Sequence, residues 1–189
     1  MTRIIAGHAG GRTLLTPSGS TTRPTSDRVR EAMFSRVEAL MDLGGSAVLD
    51  LYAGSGALGL EAASRGASVV WCVESDRSAA RVVERNARAL DLVGVEVAAA
   101  RVERWLERTP SQPAFDLVLA DPPYHLSEDD IGAMLALLSP HLRPGALVML
   151  ERSSRSPAPA WPPGWSVAKS KRYGQTGVHL AGPGGAEQV

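Results

Sequence analysis

The chain has 189 residues, no net charge and 44% hydrophobic residues, which together favour a single globular domain. No apolar run approaches the ~20 residues of a membrane-spanning helix, and the N-terminus lacks the apolar core of a signal peptide, so we expect a cytoplasmic protein. The single cysteine, Cys72, excludes an internal disulfide bond and any metal site built from several cysteines.

Glycine and proline punctuate the first part of the chain, and we interpret residues 1–24 as a basic arm or hairpin. Asp27 is the predicted N-cap of a helix whose Val29, Met33 and Val37 share one face. The helix opens the main domain, for which we predict the bounds 25–182. We expect the remaining residues, 183–189, to form a disordered tail.

From Ser46 onward, short apolar runs alternate with helical patterns. Strands are predicted at 47–51, 69–73, 95–99, 115–120 and 146–150, and helices at 57–65, 77–91, 101–108 and 128–139. Two last strands are predicted near 165–172 and 176–181. Most of the strands are continuous apolar runs, which is typical of strands covered on both faces. The pattern predicts a Rossmann-like α/β fold with a doubly wound, mostly parallel sheet of seven strands.

A glycine-rich turn follows the first strand of this sheet. The stretch DLYAGSGALGLEAASRG, which begins at Asp50, has the spacing G-x-G-x-x-G at Gly54, Gly56 and Gly59. Such a turn suits a dinucleotide or S-adenosylmethionine (SAM), because both need close approach to bare main chain. The Asp50 carboxylate suits the ammonium or sulfonium of SAM and would repel a pyrophosphate, whereas Glu74 could bind the ribose of either ligand. The block resembles the first two motifs of class I SAM-dependent methyltransferases, which implies SAM as cofactor.

A second motif, Asp-Pro-Pro-Tyr, follows the fourth strand, at the sheet edge where ligands bind in such folds. The Asp121 carboxylate and the Pro122 carbonyl can accept the two hydrogens of a planar NH₂ group, and Tyr124 can stack on its ring, which is worth ~1–3 kcal/mol for a nucleobase. This grip favours the pyramidal amine whose lone pair attacks a methyl group, and it stabilises the charge that develops on nitrogen. The motif fits adenine N6, guanine N2 or glutamine amides, so it indicates the reaction and not the substrate.

Four further segments narrow the substrate by resemblance. RIIAGHAGGRTLLTP (3–17), TRPTSDRVREAMFS (22–35), FDLVLADPPY (115–124) and KSKRYGQT (169–176) occur in this order around the glycine turn. Together they resemble the RsmD-like family of bacterial 16S ribosomal RNA (guanine-N2) methyltransferases, and the resemblance spans almost the whole chain. It implies methyl transfer to the exocyclic N2 amine of a guanine, with SAM as cofactor and 16S rRNA, free or in a partly assembled small subunit, as partner. We expect a monomer.

The resemblance also implies roles for individual residues. The methionine side of SAM would contact Asp50, Ala53, Gly54, Ser55 and Gly56, with Glu74 on the ribose and the main chain of Val102 on the adenine. Asp121 and Pro122 would hold the guanine amine, with Tyr124 against the base. Arg28 and Thr25 are candidates for the SAM carboxylate or the flipped nucleotide, or they simply cap and solvate their helix. RNA phosphates would contact Arg3, Arg12, Arg23, Lys171 and Arg172, and Tyr173 would be a second stacking surface or an ordinary strand residue.

The charge distribution agrees with a polyanionic partner. Residues 1–36 hold six arginines against two acidic residues, and the chain from 151 holds five basic residues against two acidic ones, whereas 37–150 are acidic. The four histidines show no metal-ligand spacing, so we predict no metal site. A DNA adenine-N6 methyltransferase, a nicotinamide-dependent oxidoreductase and a non-catalytic RNA-binding relative are the alternatives. The sequence Ala100-Arg101-Val102-Glu103 lacks the acid or asparagine that often contacts adenine, and we expect Arg101 to turn away.

Overall fold

The alternating apolar runs form one seven-stranded sheet in the computed structural model, which describes residues 2–17, 26–110 and 114–184. The strands are β1 (Thr2–Arg3), β2 (Thr13–Leu14), β3 (Ala47–Leu51), β4 (Val69–Glu74), β5 (Val95–Ala99), β6 (Phe115–Ala120), β7 (Leu142–Ser153), β8 (Trp165–Tyr173) and β9 (Thr176–Pro183). The helices are α1 (Asp27–Glu38), α2 (Ala57–Ser64), α3 (Arg77–Ala89), α4 (Val102–Arg108) and α5 (Glu128–Leu138), with a 3₁₀ turn at Ser139–His141. None of the described helices has the length and apolar content needed to cross a bilayer.

The sheet order is β5-β4-β3-β6-β7-β9-β8, which confirms the predicted doubly wound, mostly parallel arrangement. Strands β3 to β7 run parallel, and β9 inserts antiparallel between β7 and β8. The chain leaves β3 towards β4 on one side and returns to β6 on the other. The carboxyl ends of β3 and β6 therefore adjoin at the topological switch point, where open α/β sheets bind ligands.

Two apolar layers cover the sheet, because alternate strand residues face opposite sides. In β6, Leu117 and Leu119 pack into the layer that contains Phe34 of α1, whereas Val118 and Ala120 pack into the layer that contains Met134 of α5. Burial of both faces explains the continuous apolar character of the strands.

Strands β1 and β2 pair antiparallel as a short hairpin, and the turn between them packs against α2. Ile4 and Ala9 are buried in the α1-side layer. The main-chain N–H groups of Ile5 and Ala6 donate to the fully buried Glu61 carboxylate at 2.7 and 3.0 Å. Arg65, at the C-terminal end of α2, also donates to Glu61 at 2.7 Å, so the carboxylate has an ion pair within its own helix while the two main-chain hydrogen bonds join the hairpin to α2.

Three predicted boundaries were wrong by a few residues. Ser26, not Asp27, is the N-cap of α1, and its hydroxyl accepts from the N–H of Val29. Strand β7 begins at 142, before the predicted 146, because Leu142 already pairs with Phe115. Strand β9 extends to Pro183, paired with Trp165, so the ladder includes the first residue assigned to the tail; residues 185–189 lie outside the described part of the chain.

Candidate active site

The glycine turn after β3 is built from residues with positive φ angles. Tyr52, Gly54 and Gly56 have φ of 62°, 57° and 80°, and Gly56 begins α2 in the left-handed conformation. A Cβ atom at Gly56 would lie 2.8 Å from Cγ1 of Val83 on α3, so neither the backbone angle nor the space admits a side chain. The turn therefore presents bare main chain at the head of α2, together with the predicted residues Ala53 and Ser55.

Glu74 ends β4 and holds this turn in place. Its Oε2 accepts from the N–H of Gly54 at 2.8 Å, and its Oε1 accepts from the N–H of Asp76 at 2.7 Å. Oε1 also accepts from the Ser75 hydroxyl at 3.3 Å. A carboxylate has about four acceptor positions, so Oε2 keeps one for a ribose hydroxyl, and a ribose hydroxyl could replace the long Ser75 contact on Oε1. The structure thus places Glu74 where it fits the predicted ribose contact, and it adds an ordering role for the glycine turn.

Asp50 lies beneath the turn at the end of β3, with only 1% of its surface exposed. Its Oδ2 accepts from the N–H of Gly59 at 2.8 Å. Burial raises the pKa of Asp50 to about 8, and the neighbouring charges of Asp121 and Glu74 add to the rise, while the Gly59 hydrogen bond opposes it. A buried acid of this kind is stabilised in its charged form by a nearby cation, and the ammonium or sulfonium of SAM is such a group. The acidic donor set and the bare glycine turn therefore fit SAM.

The Asp-Pro-Pro-Tyr motif lies beside this turn, on the neighbouring strand. The N–H of Asp121 donates to the carbonyl of Leu51 at 3.5 Å, which ties the motif to the end of β3. Burial raises the pKa of Asp121 to about 6, so its carboxylate is mostly ionised at pH 7. Pro122 is buried and Tyr124 is 60% exposed. The structure thus brings the two predicted halves of the site together at the switch point.

Arg152 of β7 was missed by the sequence analysis. It is only 3% exposed, and its Nη2 donates to the carbonyl of Leu126 at 3.0 Å and to Oε1 of Glu128 at 2.6 Å. Both partners follow the Asp-Pro-Pro-Tyr motif directly, so Arg152 fixes the far end of the loop that carries Tyr124. The only sequence signal was an arginine two residues after the apolar run at 146–150.

The segment after β5 lies on the predicted adenine side of the site. Arg101 turns away, as expected: its side chain is 80% exposed and lies 3.7 Å from Glu103. Val102 is buried at the start of α4. The hydroxyl of Tyr52 donates to Oε1 of Glu103 at 3.4 Å, and burial together with Glu103 raises the pKa of Tyr52. The role of the Val102 main chain stays a prediction.

The predicted basic residues at the N-terminus are not gathered at the site. Arg3 forms an ion pair with Asp27 at 2.8 Å. Arg12 donates to the carbonyl of Ala89, at the C-terminal end of α3, and this end lies at the opposite edge of the sheet from Asp121. These contacts give Arg3 and Arg12 structural roles. Arg28 is exposed on α1, and Arg23 and Thr25 lie outside the described residues.

The basic residues of the C-terminal half do lie at the carboxyl edge of the sheet. Lys171, Arg172 and Tyr173 end β8, which runs parallel to β7. The Tyr173 hydroxyl accepts from Nε of Arg36 at 2.7 Å, and Nζ of Lys171 lies 5.3 Å from the Tyr173 ring centroid. In the described parts of the chain, no three His, Cys, Asp or Glu side chains are arranged to hold a metal ion.

Solved structures share this architecture. The protein yhhF from Escherichia coli superposes with a TM-score of 0.84 at 29% identity, over 97% of this chain and 98% of that one. The magnesium protoporphyrin IX methyltransferase of Synechocystis PCC 6803, solved with bound SAM, superposes with a TM-score of 0.66 at 14% identity, over 86% of each chain. The fold and the site define a class I SAM-dependent methyltransferase.

The family is identified by sequence. The profile of the family described as conserved hypothetical protein 95 matches residues 2–182, and the chain belongs to this family. Ribosomal RNA small subunit methyltransferase D of Haemophilus influenzae is 34% identical over 180 residues, which cover 94% of this chain and 92% of that protein. The Escherichia coli protein of the same name is 34% identical over 185 residues, or 94% and 88% of the two chains.

Proposed function

We propose that this protein transfers a methyl group from SAM to the exocyclic N2 amine of a guanine in small-subunit ribosomal RNA. One observation carries the proposal: Asp121, which directly follows β6, donates its N–H to the carbonyl of Leu51, the residue after Asp50 in the adjacent strand β3, at 3.5 Å, and the charge of Asp121 adds to the raised pKa of Asp50. A cofactor along the glycine turn and an amine on Asp121 would therefore be neighbours.

The residues at the ends of β3 and β4 would hold the cofactor. Gly54 and Gly56 leave the main chain bare along the turn, and Asp50 supplies a carboxylate beneath it. Glu74 would accept from the ribose hydroxyls, and the Val102 main chain would meet the adenine. Bound SAM supplies an electrophilic methyl group on a sulfonium that leaves as a neutral thioether.

The residues after β6 would act on the acceptor amine. The Asp121 carboxylate and the Pro122 carbonyl accept its two hydrogens, which localises the nitrogen lone pair and stabilises the positive charge that develops on nitrogen. Holding the amine in line with the methyl–sulfur bond lowers the barrier further. After transfer, the surplus proton passes to Asp121 or to water. Tyr124, largely exposed, offers a face on which the base can stack.

The choice of ribosomal RNA is supported by the relatives named ribosomal RNA small subunit methyltransferase D, which align with nearly the whole chain. The choice of guanine N2 is supported by the resemblance of five motifs along the sequence. The amine clamp itself would accept any planar NH₂ group, so the nucleobase must be identified by experiment.

The deciding experiment measures methyl transfer from isotopically labelled SAM to small-subunit rRNA from a strain that lacks the corresponding enzyme. The rRNA is supplied in two forms, as naked RNA and within the assembled subunit. Nucleoside digestion and mass spectrometry should find the label in N2-methylguanosine. Asp121→Asn should lose transfer, whereas Asp129→Asn, the same change at an exposed site on α5, should keep it. Label in N6-methyl-2′-deoxyadenosine of a DNA substrate, with none in RNA, would overturn the proposal.

A further inference from the structure

A cavity of about 530 Å³ opens at the carboxyl edge of the sheet, where β7 and β8 end and β9 begins. Its lining includes four serines (Ser153, Ser154, Ser156 and Ser170) and three basic or imidazole residues, which are Lys171, Arg172 and His179. We call it the serine pocket. The residues that line it include no acidic side chain. A concavity with hydroxyl and guanidinium donors has the composition of an anion site.

The strand register explains why the pocket is open. Gly177 of β9 pairs with Arg152 of β7 on one side and with Arg172 of β8 on the other. Directly opposed residues in antiparallel strands project from the same face, so the two arginines flank a position that has no side chain. A Cβ atom at Gly177 would lie 3.1 Å from Nε2 of His179, and it would occupy the floor of the pocket.

The charges around this floor are unbalanced. Glu128 is the acid that interacts with His179, and its Oε1 is already engaged by Arg152 at 2.6 Å. Burial lowers the pKa of His179, and Arg172 adds to this effect, so the imidazole is neutral at pH 7 and shares a hydrogen bond of 3.0 Å with Ser170. Among the described residues, Nε and Nη1 of the buried Arg152 find no acceptor. Oε2 of Glu128 finds no donor among the same residues. Because two arginines, Arg152 and Arg172, face the single carboxylate of Glu128, the face carries a net positive charge.

We propose that the serine pocket binds a backbone phosphate of the RNA substrate. This proposal rests on the proposed function and extends it, because it assigns the RNA a defined pocket in addition to the exposed charges of Lys171 and Arg172. Its hydroxyl and guanidinium donors suit a phosphate, which positions the RNA without reading a base. The pocket shares the carboxyl edge of the sheet with Asp121. A phosphate held there would fix the strand whose guanine enters the amine clamp.

Two variants separate a built pocket from general surface charge. Arg172→Ala should weaken binding of a small-subunit rRNA fragment about tenfold and reduce the slope of log K against log salt by roughly one, because one phosphate contact is lost. Ser154→Ala/Ser156→Ala should weaken binding about threefold to tenfold with an unchanged slope, because hydroxyls release no counterion. The KM for RNA should rise in parallel. Arg88→Ala, which removes an arginine that is 75% exposed on α3, is the matched control and should bind normally.

The outcomes are distinguishable from failure of the proposed function. If the wild-type protein methylates guanine but the serine variant binds RNA normally, the pocket proposal alone is overturned, and Arg172 acts only as surface charge. If the wild-type protein binds RNA without methylating guanine, the proposed function fails, and the binding series still decides the pocket. An acidic peptide of the same charge as the RNA fragment serves as a competitor. If it displaces the RNA from the pocket at equal concentration, the pocket does not select phosphate, and the proposal is refuted. Thermal melting of each variant checks that the fold is intact.

Discussion

Gly59→Ala tests whether Asp50 is held as tightly as the structure indicates. Gly59 lies in α2, and an added Cβ would lie 2.8 Å from Sγ of Cys72 and 2.9 Å from Oδ2 of Asp50. Both neighbours are fully buried on parallel strands, so neither can swing into solvent. Overpacking of this kind costs ~1–3 kcal/mol. For a domain of this size the expected fall in Tm is about 2–12 °C, and displacement of the Asp50 carboxylate should also weaken SAM binding.

Gly132→Ala is the matched control, because Gly132 is also a helical glycine but has no atom within 4 Å of the added Cβ. Here the substitution should raise the free energy of unfolding by ~0.5–1 kcal/mol through helix propensity. Differential scanning calorimetry and titration calorimetry with SAM measure both effects. A Cys72→Ala background should reduce the loss caused by Gly59→Ala, since one of the two clashes is removed. If Gly59→Ala is as stable as the wild type and binds SAM equally well, the tight placement of Asp50 is refuted.

Three further predictions concern the carboxylates and the loop arginine. Asp121→Asn should lower kcat about 10²–10³-fold. It should also raise stability at pH 7 by up to ~3 kcal/mol, because burial raises the native pKa of Asp121 to about 6, above the unfolded value, so the wild type loses stability as the pH rises from about 4 to 6. The wild-type rate should fall as the pH drops through 6 and the carboxylate becomes protonated, and a flat profile would contradict the clamp. Glu74→Ala should raise the Kd for SAM about 10- to 100-fold, since a hydrogen bond from the ribose to a charged group disappears. An unchanged Kd in calorimetry would exclude the ribose role. Arg152→Met should lower the free energy of unfolding by ~1.5–3 kcal/mol and speed amide hydrogen exchange at residues 126–128. Arg152→Lys should restore part of both. Equal exchange in the wild type and the two variants would show that the loop does not depend on Arg152.

The sheet could be predicted from the sequence because its signals are local. Runs such as FDLVLA and helices of 3.6-residue period report burial on one or both faces, and the glycines mark where the chain must turn tightly. Asp50, Glu74 and Asp121 could be found for the same reason, since each ends a predicted parallel strand and such ends share one edge of the sheet. The helix cap was wrong because Ser26 and Asp27 are adjacent and both cap helices well.

The parts that could not be predicted depend on charged residues whose partners are distant in the sequence. Arg152 binds Leu126 and Glu128, about 25 residues before it, and Glu61 receives the main chain of the N-terminal hairpin. Composition places arginine and glutamate on the surface, and only the folded chain shows that these are buried with partners. The serine pocket likewise depends on the register that sets Gly177 between two arginines, which no local pattern specifies.

The acids at the switch point carry an energetic cost that follows from their function. Burial raises the pKa of Asp50 to about 8 and that of Asp121 to about 6, so each carboxylate is less stable as an anion here than in water. A core with no ligand to bind would gain stability from apolar residues at these positions. Their presence at two adjacent strand ends is accounted for if a cationic cofactor compensates Asp50 and a nitrogen that becomes positive compensates Asp121. The same electrostatics that disfavour the unliganded site thus stabilise the transition state of methyl transfer.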